Sequence, residues 1–378
     1  MISKLLRCNL WLFVVTITLL ALSTSGVAST PVQRVIHADT AGDIGNLDPT
    51  LPWVSAEAPI MTMIMEGLVD YPPGEVSTNF QPGLATSWDI SDDGLVYTFY
   101  LREGVQWHKG YGEFTAEDVK FSLDRYRDPN ISSWSPEYSE IQSVDVIDRY
   151  TVQVTLNAAN PFFLGKVATN TMSVGLMVSK QAFEERGPDQ MRLSPIGTGP
   201  FQFKDHITRD RVVLEKNPNY WGGEPILDEV VIRFMPSTTS REMALMTGEI
   251  DTMRIPGEAA LARRLQNQGY ILDTFGPEIM WWLYIDTEEP PLDDIRVRQA
   301  IFHAINPEDV QALVGAELSY VAESLFPETY FGFANGEQLQ QVAPWYYDPD
   351  KAIDLLADAG YPNGFELSMV LLNRYRVS

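Results

Sequence analysis

The chain has 378 residues, of which 45% are apolar and 21% charged, a composition typical of globular proteins and not of disordered ones. Its 51 acidic and 27 basic residues give a formal net charge of −24, so its surface should repel nucleic acid and anionic lipid. The surplus of carboxylates would favour cationic ligands, but keeping the protein soluble is the simpler explanation. A chain of this length has room for roughly two to three domain-sized units.

Residues 1–28 have the features of a secretory signal peptide. Lys4 and Arg7 precede an apolar run from Leu10 to Leu22, and small residues follow as far as Ala28. This run is shorter than the roughly 20 residues of a membrane helix, so cleavage is a better interpretation than a retained anchor. The only cysteine, Cys8, lies inside this segment. We therefore expect an extracytoplasmic or periplasmic protein without disulfides, stabilised by burial alone.

A β-hairpin and a capped helix are predicted between residues 88 and 126. Apolar and polar residues alternate on both sides of Asp93-Gly94, a dipeptide that favours tight hairpin turns. Thr115, followed by two acids, can cap a helix. The inward face of that helix is expected to carry Val119, Ser122, Leu123 and Tyr126.

Further elements alternate along the chain. Strand-like runs occur at residues 34–38, 150–156, 211–215 and 230–234. Helix starts are marked by Asp293-Asp294, Asn306-Pro307 and Asp348-Pro349, and the first of these helices carries Val297, Ala300, Ile301 and Ala304. Turns rich in glycine and proline separate them. The predicted fold class is α/β or α+β, in more than one lobe.

The sequence contains no recognisable catalytic or metal-binding motif. It has no G-x-S-x-G elbow, no S-x-x-K, no P-loop and no H-E-x-x-H, and no cysteine follows residue 28. Its four histidines are far apart, which is more typical of structural residues than of a metal site: His37, His108, His206 and His303. We therefore predict a binding protein and not an enzyme, with no cofactor and no metal.

Aromatic residues are the best binding candidates from the residues alone. Trp53 and the cluster of Trp281, Trp282 and Tyr284 could offer a large contact area with a polar handle for orientation. Packing in the core is about twice as frequent an explanation for any single tryptophan, so both interpretations stay open.

Five segments taken together resemble a known family. In order they are residues 84–119 (with LATSW and SDDGLVYTFYLREGVQWHKG), 195–203 (PIGTGPFQF), 214–234 (LEKNPNYWGGEPILDEVVIRF), 290–305 (PPLDDIRVRQAIFHAI) and 348–365 (DPDKAIDLLADAGYPNGF). The chain resembles the family 5 extracytoplasmic solute-binding proteins of ABC importers, which include dipeptide- and oligopeptide-binding proteins. Each motif is weak by itself, but five in order are specific.

The resemblance implies a two-lobed α/β fold of the periplasmic-binding-protein type II class, with an extra subdomain inserted in lobe one. Lobe one is expected to span residues 31–282, with the inserted subdomain at about 49–194. Residues 283–378 would form part of lobe two. Solute would enter the cleft between the lobes, which would close on a hinge and dock on the transmembrane subunits of an ABC permease.

The resemblance also implies ligand contacts. The loop after the first strand suggests Trp53, Val54 and Ser55, and the crossing to lobe two suggests Trp281, Trp282 and Tyr284. Arg374 is the candidate for binding a ligand carboxylate, with Arg376 as the alternative in register.

Three departures from the family pattern affect these expectations. The usual H-D-G reads His108-Lys109-Gly110 here, and the usual asparagine at the crossing reads Asp286. The sequence stops at Ser378, whereas similar proteins continue for more than a hundred residues. A fragment is therefore expected, with lobe two incomplete, a C-terminal ligand anchor missing and poor binding or stability by itself.

The predicted function is that of a monomeric receptor that captures di- or oligopeptides for an ABC importer. The same fold with another solute is the first alternative, and oligosaccharides, nickel chelates, haem and opines are the candidates. A secreted enzyme and a non-transporting sensor or chaperone are the remaining alternatives. His108 is expected to hold the loop between strand and helix and not to act as a ligand or base.

Overall fold

The computed structural model describes residues 32–53, 56–72, 79–169, 174–255, 257, 259–274, 283–316, 318–322, 333, 337–339 and 346–368. The predicted signal peptide lies outside these residues. No helix in the described part of the chain has both the length and the apolar character needed to cross a membrane.

The described strands form three sheets. The five-stranded sheet contains β1 (Arg34–Asp39), β9 (Phe201–Ile207), β10 (Arg211–Lys216), β11 (Glu229–Phe234) and β12 (Thr252–Met253). Its strand order is β12-β1-β11-β10-β9, with β12, β1 and β11 mutually parallel and the other pairs antiparallel. A three-stranded sheet contains β2 (Val69–Asp70), β3 (Gln81–Pro82) and β8 (Ala168–Thr169). An antiparallel four-stranded sheet contains β4 (Ala85–Ile90), β5 (Val96–Leu101), β6 (Ile141–Asp148) and β7 (Thr151–Leu156).

Helices connect and cover these sheets. In chain order they are α1 (Glu57–Ile64), α2 (Ala116–Arg127), α3 (Ser135–Tyr138), α4 (Phe163–Lys166), α5 (Lys180–Leu193), α6 (Thr238–Met246), α7 (Ala259–Asn267), α8 (Ile295–Ala304), α9 (Pro307–Val314) and α10 (Pro349–Asp358). The mixed α/β class is as predicted.

The hairpin and the capped helix are confirmed. Strands β4 and β5 pair antiparallel around a turn in which the Asp93 carboxylate accepts a hydrogen bond from the backbone N–H of Leu95 at 3.1 Å. Gly94 has a positive φ of 69°, which glycine adopts without strain. At the start of α2, the Asp118 carboxylate accepts a hydrogen bond from the backbone N–H of Thr115 at 3.0 Å. The buried face of α2 includes all four predicted residues.

One continuous core joins the three sheets. It includes Phe99 from the four-stranded sheet, Val69 from the three-stranded sheet, and Phe203 and Ile232 from the five-stranded sheet. A second cluster packs on the other face of the five-stranded sheet, where α6 and α7 cover it: Ala38, Ala244, Leu245, Ile250, Leu261 and Leu265. The sheet is therefore covered on both faces at its parallel strands, as expected for such strands, whereas β9 and β10 leave one face partly exposed.

The five-stranded sheet takes its strands from residues 34–39 and 201–253, and the chain between them forms the other two sheets. The lobe boundaries proposed from the sequence, with an inserted subdomain at about 49–194 and a second lobe from 283, stay predictions.

The three predicted helix starts between residues 283 and 368 are confirmed by capping hydrogen bonds. The side chains of Asp294, Asn306 and Asp348 each accept one from a backbone N–H in the following turn. The buried stripe of α8 runs through Val297, Ala300 and His303, whereas Ala304 is exposed. His303 can be buried there because its Nδ1 atom forms a hydrogen bond with the backbone oxygen of Tyr346 at 2.7 Å.

Candidate ligand-binding site

Three parallel strands end side by side at one edge of the five-stranded sheet. In β1 and β12, His37 pairs with Thr252 and Ala38 with Met253, while the last residue of β1, Asp39, pairs with Phe234 of β11. In open sheets with parallel strands, ligands bind in the crevice outside the carboxyl ends of the strands. This carboxyl edge is therefore the candidate site.

An acid and a base lie next to each other at the carboxyl edge. Arg254 follows β12, and its backbone N–H donates to the oxygen of Ala38 at 3.0 Å. Its Nη1 atom lies 3.7 Å from Oδ2 of Asp39, with side-chain exposures of 41% and 7%. The other Asp39 oxygen accepts a hydrogen bond from the backbone N–H of Ala41 at 2.8 Å. Arg254 is thus held by charge at a distance too long for a hydrogen bond.

His37 lies on the same face, two residues before Asp39. Its Nδ1 atom is 2.9 Å from Oγ1 of Thr252. Burial lowers the pKa of His37; Asp39 acts against this shift and Arg254 adds to it. The imidazole is therefore neutral at pH 7, and Asp39 and Arg254 contribute the charges of this group.

The loop after β11 is held rigidly against the edge. The backbone N–H of Met235 donates to the oxygen of Asp39 at 2.9 Å. The buried guanidinium of Arg241 donates to the backbone oxygens of Met235 at 2.6 Å and Pro236 at 3.0 Å. Such a fixed backbone suits a site that must present its groups in one geometry.

The loop after β1 is fixed by buried carboxylates. Glu57 accepts hydrogen bonds from the backbone N–H groups of Gly45 and Asn46, at 2.6 and 2.8 Å. Further along the loop, Asp48 forms a buried ion pair with Arg125 of α2 at 2.5 Å. The loop is therefore anchored both to α1 and to the helix that follows the hairpin.

Two of the predicted ligand-binding residues lie within the described part of the chain. The ring of Trp53 is half-buried and packs against the main core; its Nε1 atom is buried and has no hydrogen-bond partner among the described residues. Tyr284 is 88% exposed. In the described structure no hydrogen bond or ring contact joins these two residues. Their roles in binding stay predictions. The remaining candidates lie outside the described residues: Val54, Ser55, Trp281, Trp282 and Arg374, together with its alternative Arg376.

The sequence did not single out Asp39 or Arg254. The strand pattern of residues 34–38 was recognised, but β12 has only two residues and gives no alternating pattern. A charged residue at the end of one strand and directly after another strand parallel to it would have been the signal.

The Trp107-His108-Lys109 cluster is scaffold, as predicted. His108 is buried, and both ring nitrogens contact the 197–199 turn, with Nε2 at 2.9 Å from the oxygen of Gly199 and Nδ1 at 3.3 Å from the nitrogen of Gly197. Trp107 is also buried, and its indole donates to Asp118 at 3.3 Å. Lys109 is exposed, with a positive φ of 57°.

Within the described residues, no group of three or more histidines, cysteines or acids is placed to hold a metal ion.

Comparison with known proteins identifies the family. Residues 79–377 match the family described as bacterial extracellular solute-binding proteins, family 5 Middle. The chain belongs to this family. The mixed α/β fold and the expectation of a binding protein, not an enzyme, agree with this membership.

Three similar proteins illustrate the match. Heme-binding protein A of Haemophilus influenzae is 31% identical, over 96% of this chain and 70% of that protein. The dipeptide-binding protein of Escherichia coli is 33% identical, over 80% of this chain and 58% of its own length. A solved structure also matches, that of the periplasmic binding protein DppA of Helicobacter pylori in complex with the peptide STSA. Its sequence is 32% identical, its TM-score is 0.70, and the match covers 88% of this chain and 67% of that one. The chain thus spans between about half and just over two thirds of the proteins it matches.

Proposed function

We propose that this protein is the substrate-binding receptor of an ABC importer and that it captures peptides at the carboxyl edge of its five-stranded sheet. The captured peptide is handed to the transmembrane subunits of a permease. The observation that carries the proposal is the match to family 5 over residues 79–377, together with a parallel-strand edge whose flanking loops are rigidly held.

Peptides are the preferred solute class because two of the similar proteins bind them, the dipeptide-binding protein of E. coli and the DppA protein in complex with STSA. An extended peptide can gain affinity from hydrogen bonds to its main chain, which do not depend on the identity of its side chains. In this proposal Trp53, Val54, Ser55, Trp281, Trp282 and Tyr284 line the peptide, and Arg374 binds its C-terminal carboxylate.

Haem is the second candidate solute, since heme-binding protein A matches 96% of this chain. The two solutes make different demands on the cleft. A peptide needs main-chain partners along an extended path, whereas haem needs a broad apolar slot.

A thermal-shift screen tests the solute class. Wild-type protein is melted with dipeptides, tetrapeptides, oligosaccharides and haem, each at several concentrations. A ligand that binds only the folded state, at about 100 times its Kd, stabilises it by about 2.7 kcal/mol and raises the melting temperature. A rise with peptides alone supports the proposal. A rise with haem or oligosaccharide and none with peptides refutes the peptide class.

The location and partners belong to the same proposal. Residues 1–28 direct export, the mature chain works outside the cytoplasmic membrane as a monomer, and its two-lobed fold closes on the solute. Fusing residues 1–28 to a reporter that is active only after export tests the first step; a reporter that stays inactive contradicts it.

A further inference from the structure

We propose that Arg254 binds a carboxylate of the solute. The inference rests on the proposed function, because it requires that the solute lies at the carboxyl edge. It assigns a lobe-one anchor to that solute, in addition to Arg374, and defines the chemical class of the solute: the ligand is an acid, and for a peptide both arginines contact the C-terminal carboxylate.

The first argument is that the position of Arg254 is fixed while its guanidinium N–H donors are not used by other side chains of the described residues. Its backbone is fixed through the hydrogen bond to Ala38, at 3.0 Å. Its guanidinium lies 3.7 Å from Asp39, which holds the side chain over the strand ends by charge alone. Among the described residues no side-chain hydrogen bond occupies its donors. A guanidinium has five N–H donors, so most of its capacity stays available for a ligand.

The second argument concerns accessibility. The Arg254 side chain is 41% exposed, whereas Asp39 beside it is 7% exposed. A solute that reaches the edge therefore meets the cation first, and the acid lies behind it. His37, which lies two residues before Asp39 in β1, pairs with Thr252 and is uncharged at pH 7, so it neither competes for nor repels an anion.

The third argument is geometric. A planar guanidinium binds a carboxylate through two parallel N–H···O bonds, and such charge-assisted pairs are stronger than neutral hydrogen bonds. Because the loop after β11 is locked by Arg241, this edge needs little rearrangement on binding. Arg254 is also followed along the chain by loop and helix α7, so the site lies where the sheet ends and not inside it.

The test compares acids with their uncharged derivatives on the full chain. The probes are the dipeptide Met-Leu and its C-terminal amide, and haem and its dimethyl ester, measured by calorimetry and, for haem, by absorbance. The variants are Arg254→Gln and, as control, Arg233→Gln. Arg233 lies in the same sheet, carries the same charge and pairs with Glu249. Melting without ligand shows whether both variants fold equally well.

The wild type is expected to bind the acid about 10-fold to 100-fold more tightly than the amide or ester, the range for hydrogen bonds to a charged group. Arg254→Gln should remove most of this preference, with Arg374 accounting for what remains, and Arg233→Gln should keep it in full. Asp39→Asn should enlarge it, because the competing negative charge is gone. A variant that merely damages the fold would weaken binding of acid and amide alike, so this opposite effect separates charge recognition from structure.

The outcomes also separate the inference from the proposed function. If the wild type binds peptide acid and amide equally, or if Arg254→Gln keeps the preference in full, the inference is wrong while peptide binding stands. If haem binds and peptides do not, with a preference for haem over its ester that depends on Arg254, the inference stands and the peptide class is wrong. If no probe binds, both are wrong.

Discussion

The Nδ1 atom of His108 accepts a hydrogen bond from the backbone N–H of Gly197 at 3.3 Å, although 89 residues separate the two. A backbone N–H can only donate, so Nδ1 carries no proton, and Nε2 must be the donor to the oxygen of Gly199 at 2.9 Å. The two contacts select one neutral tautomer. They attach the loop after the hairpin to the 197–199 turn, which the sequence marks as a glycine-rich segment.

Because His108 is neutral in the folded protein, we expect the free energy of unfolding to fall in acid. Burial lowers the pKa of His108 to about 4, with Lys109 adding to the shift and the bond to Gly199 opposing it. In the unfolded chain the pKa is about 6.5. Since the folded pKa is the lower one, this stabilising contribution is fully present above pH 6.5 and is lost as the pH falls towards 4. The loss amounts to about 3 kcal/mol.

Urea unfolding of the wild type and of His108→Gln at pH 7 and pH 4.5 measures this contribution. The difference between the two proteins removes the effect of all other titrating groups. The wild type should lose more stability than the variant on acidification. Equal losses would show that His108 does not carry the effect.

Gly197 is a second position at which we expect a substitution to destabilise the fold. A Cβ atom at this residue would lie 1.9 Å from the backbone oxygen of Ile64, a contact that no side-chain rotation can relieve. Gly197→Ala should therefore destabilise the fold by about 3 kcal/mol, the upper end of the usual cost of overpacking. Gly42→Ala is the matched control, because its Cβ would meet nothing within 4 Å. Similar melting temperatures for the two variants would contradict this account.

Glu66 is a third position at which we expect a substitution to destabilise the fold. It follows α1 and is buried, and it accepts hydrogen bonds from Thr198 at 2.7 Å, Tyr220 at 2.9 Å and the indole of Trp221 at 3.1 Å. Burial raises the pKa of Glu66, with these three donors acting against the shift. One carboxyl group thus joins the PIGTGPF and NPNYWGG segments to α1.

Removing this group leaves the buried Thr198 hydroxyl and the half-buried Tyr220 and Trp221 donors without their acceptor. A buried donor costs about 1–3 kcal/mol and a half-buried one less, so Glu66→Ala should lower the free energy of unfolding by about 3 kcal/mol. Glu66→Gln keeps one acceptor oxygen and should cost less. The exposed Glu103→Ala serves as a baseline in the same denaturant titration. A loss for Glu66→Ala no larger than that of Glu103→Ala would refute the joining role.

Local signals account for what the sequence predicted correctly. The alternation around Asp93-Gly94 and the capping pair Thr115 and Asp118 act over a few residues, so they can be recognised without knowing the fold. The residues of the candidate site could not be recognised in this way, because they come from distant parts of the chain. Asp39 and Arg254 are 215 residues apart, and only the parallel order of β1 and β12 brings them together. No periodicity in either segment encodes that order, and the same holds for Glu66 and its three donors.

The ion pair between Asp48 and Arg125 predicts how the loop after β1 depends on the helix behind the hairpin. The two groups are 2.5 Å apart, with side-chain exposures of 5% and 10%, and the guanidinium lies 4.0 Å from the ring centre of Phe183. Arg125→Met leaves a buried carboxylate without its counter-charge, which should cost about 3–5 kcal/mol. The exposed pair of Lys180 and Glu117 is the control, and Lys180→Met should cost less than about 1 kcal/mol.

The effect on binding separates positioning from stability. Because Asp48 anchors the loop that carries Trp53, Arg125→Met should weaken peptide binding at temperatures where the variant is still folded, while Lys180→Met should not. Calorimetric titration with Met-Leu well below both melting temperatures measures this. A variant that is destabilised but binds with unchanged affinity would show that the ion pair serves the fold alone.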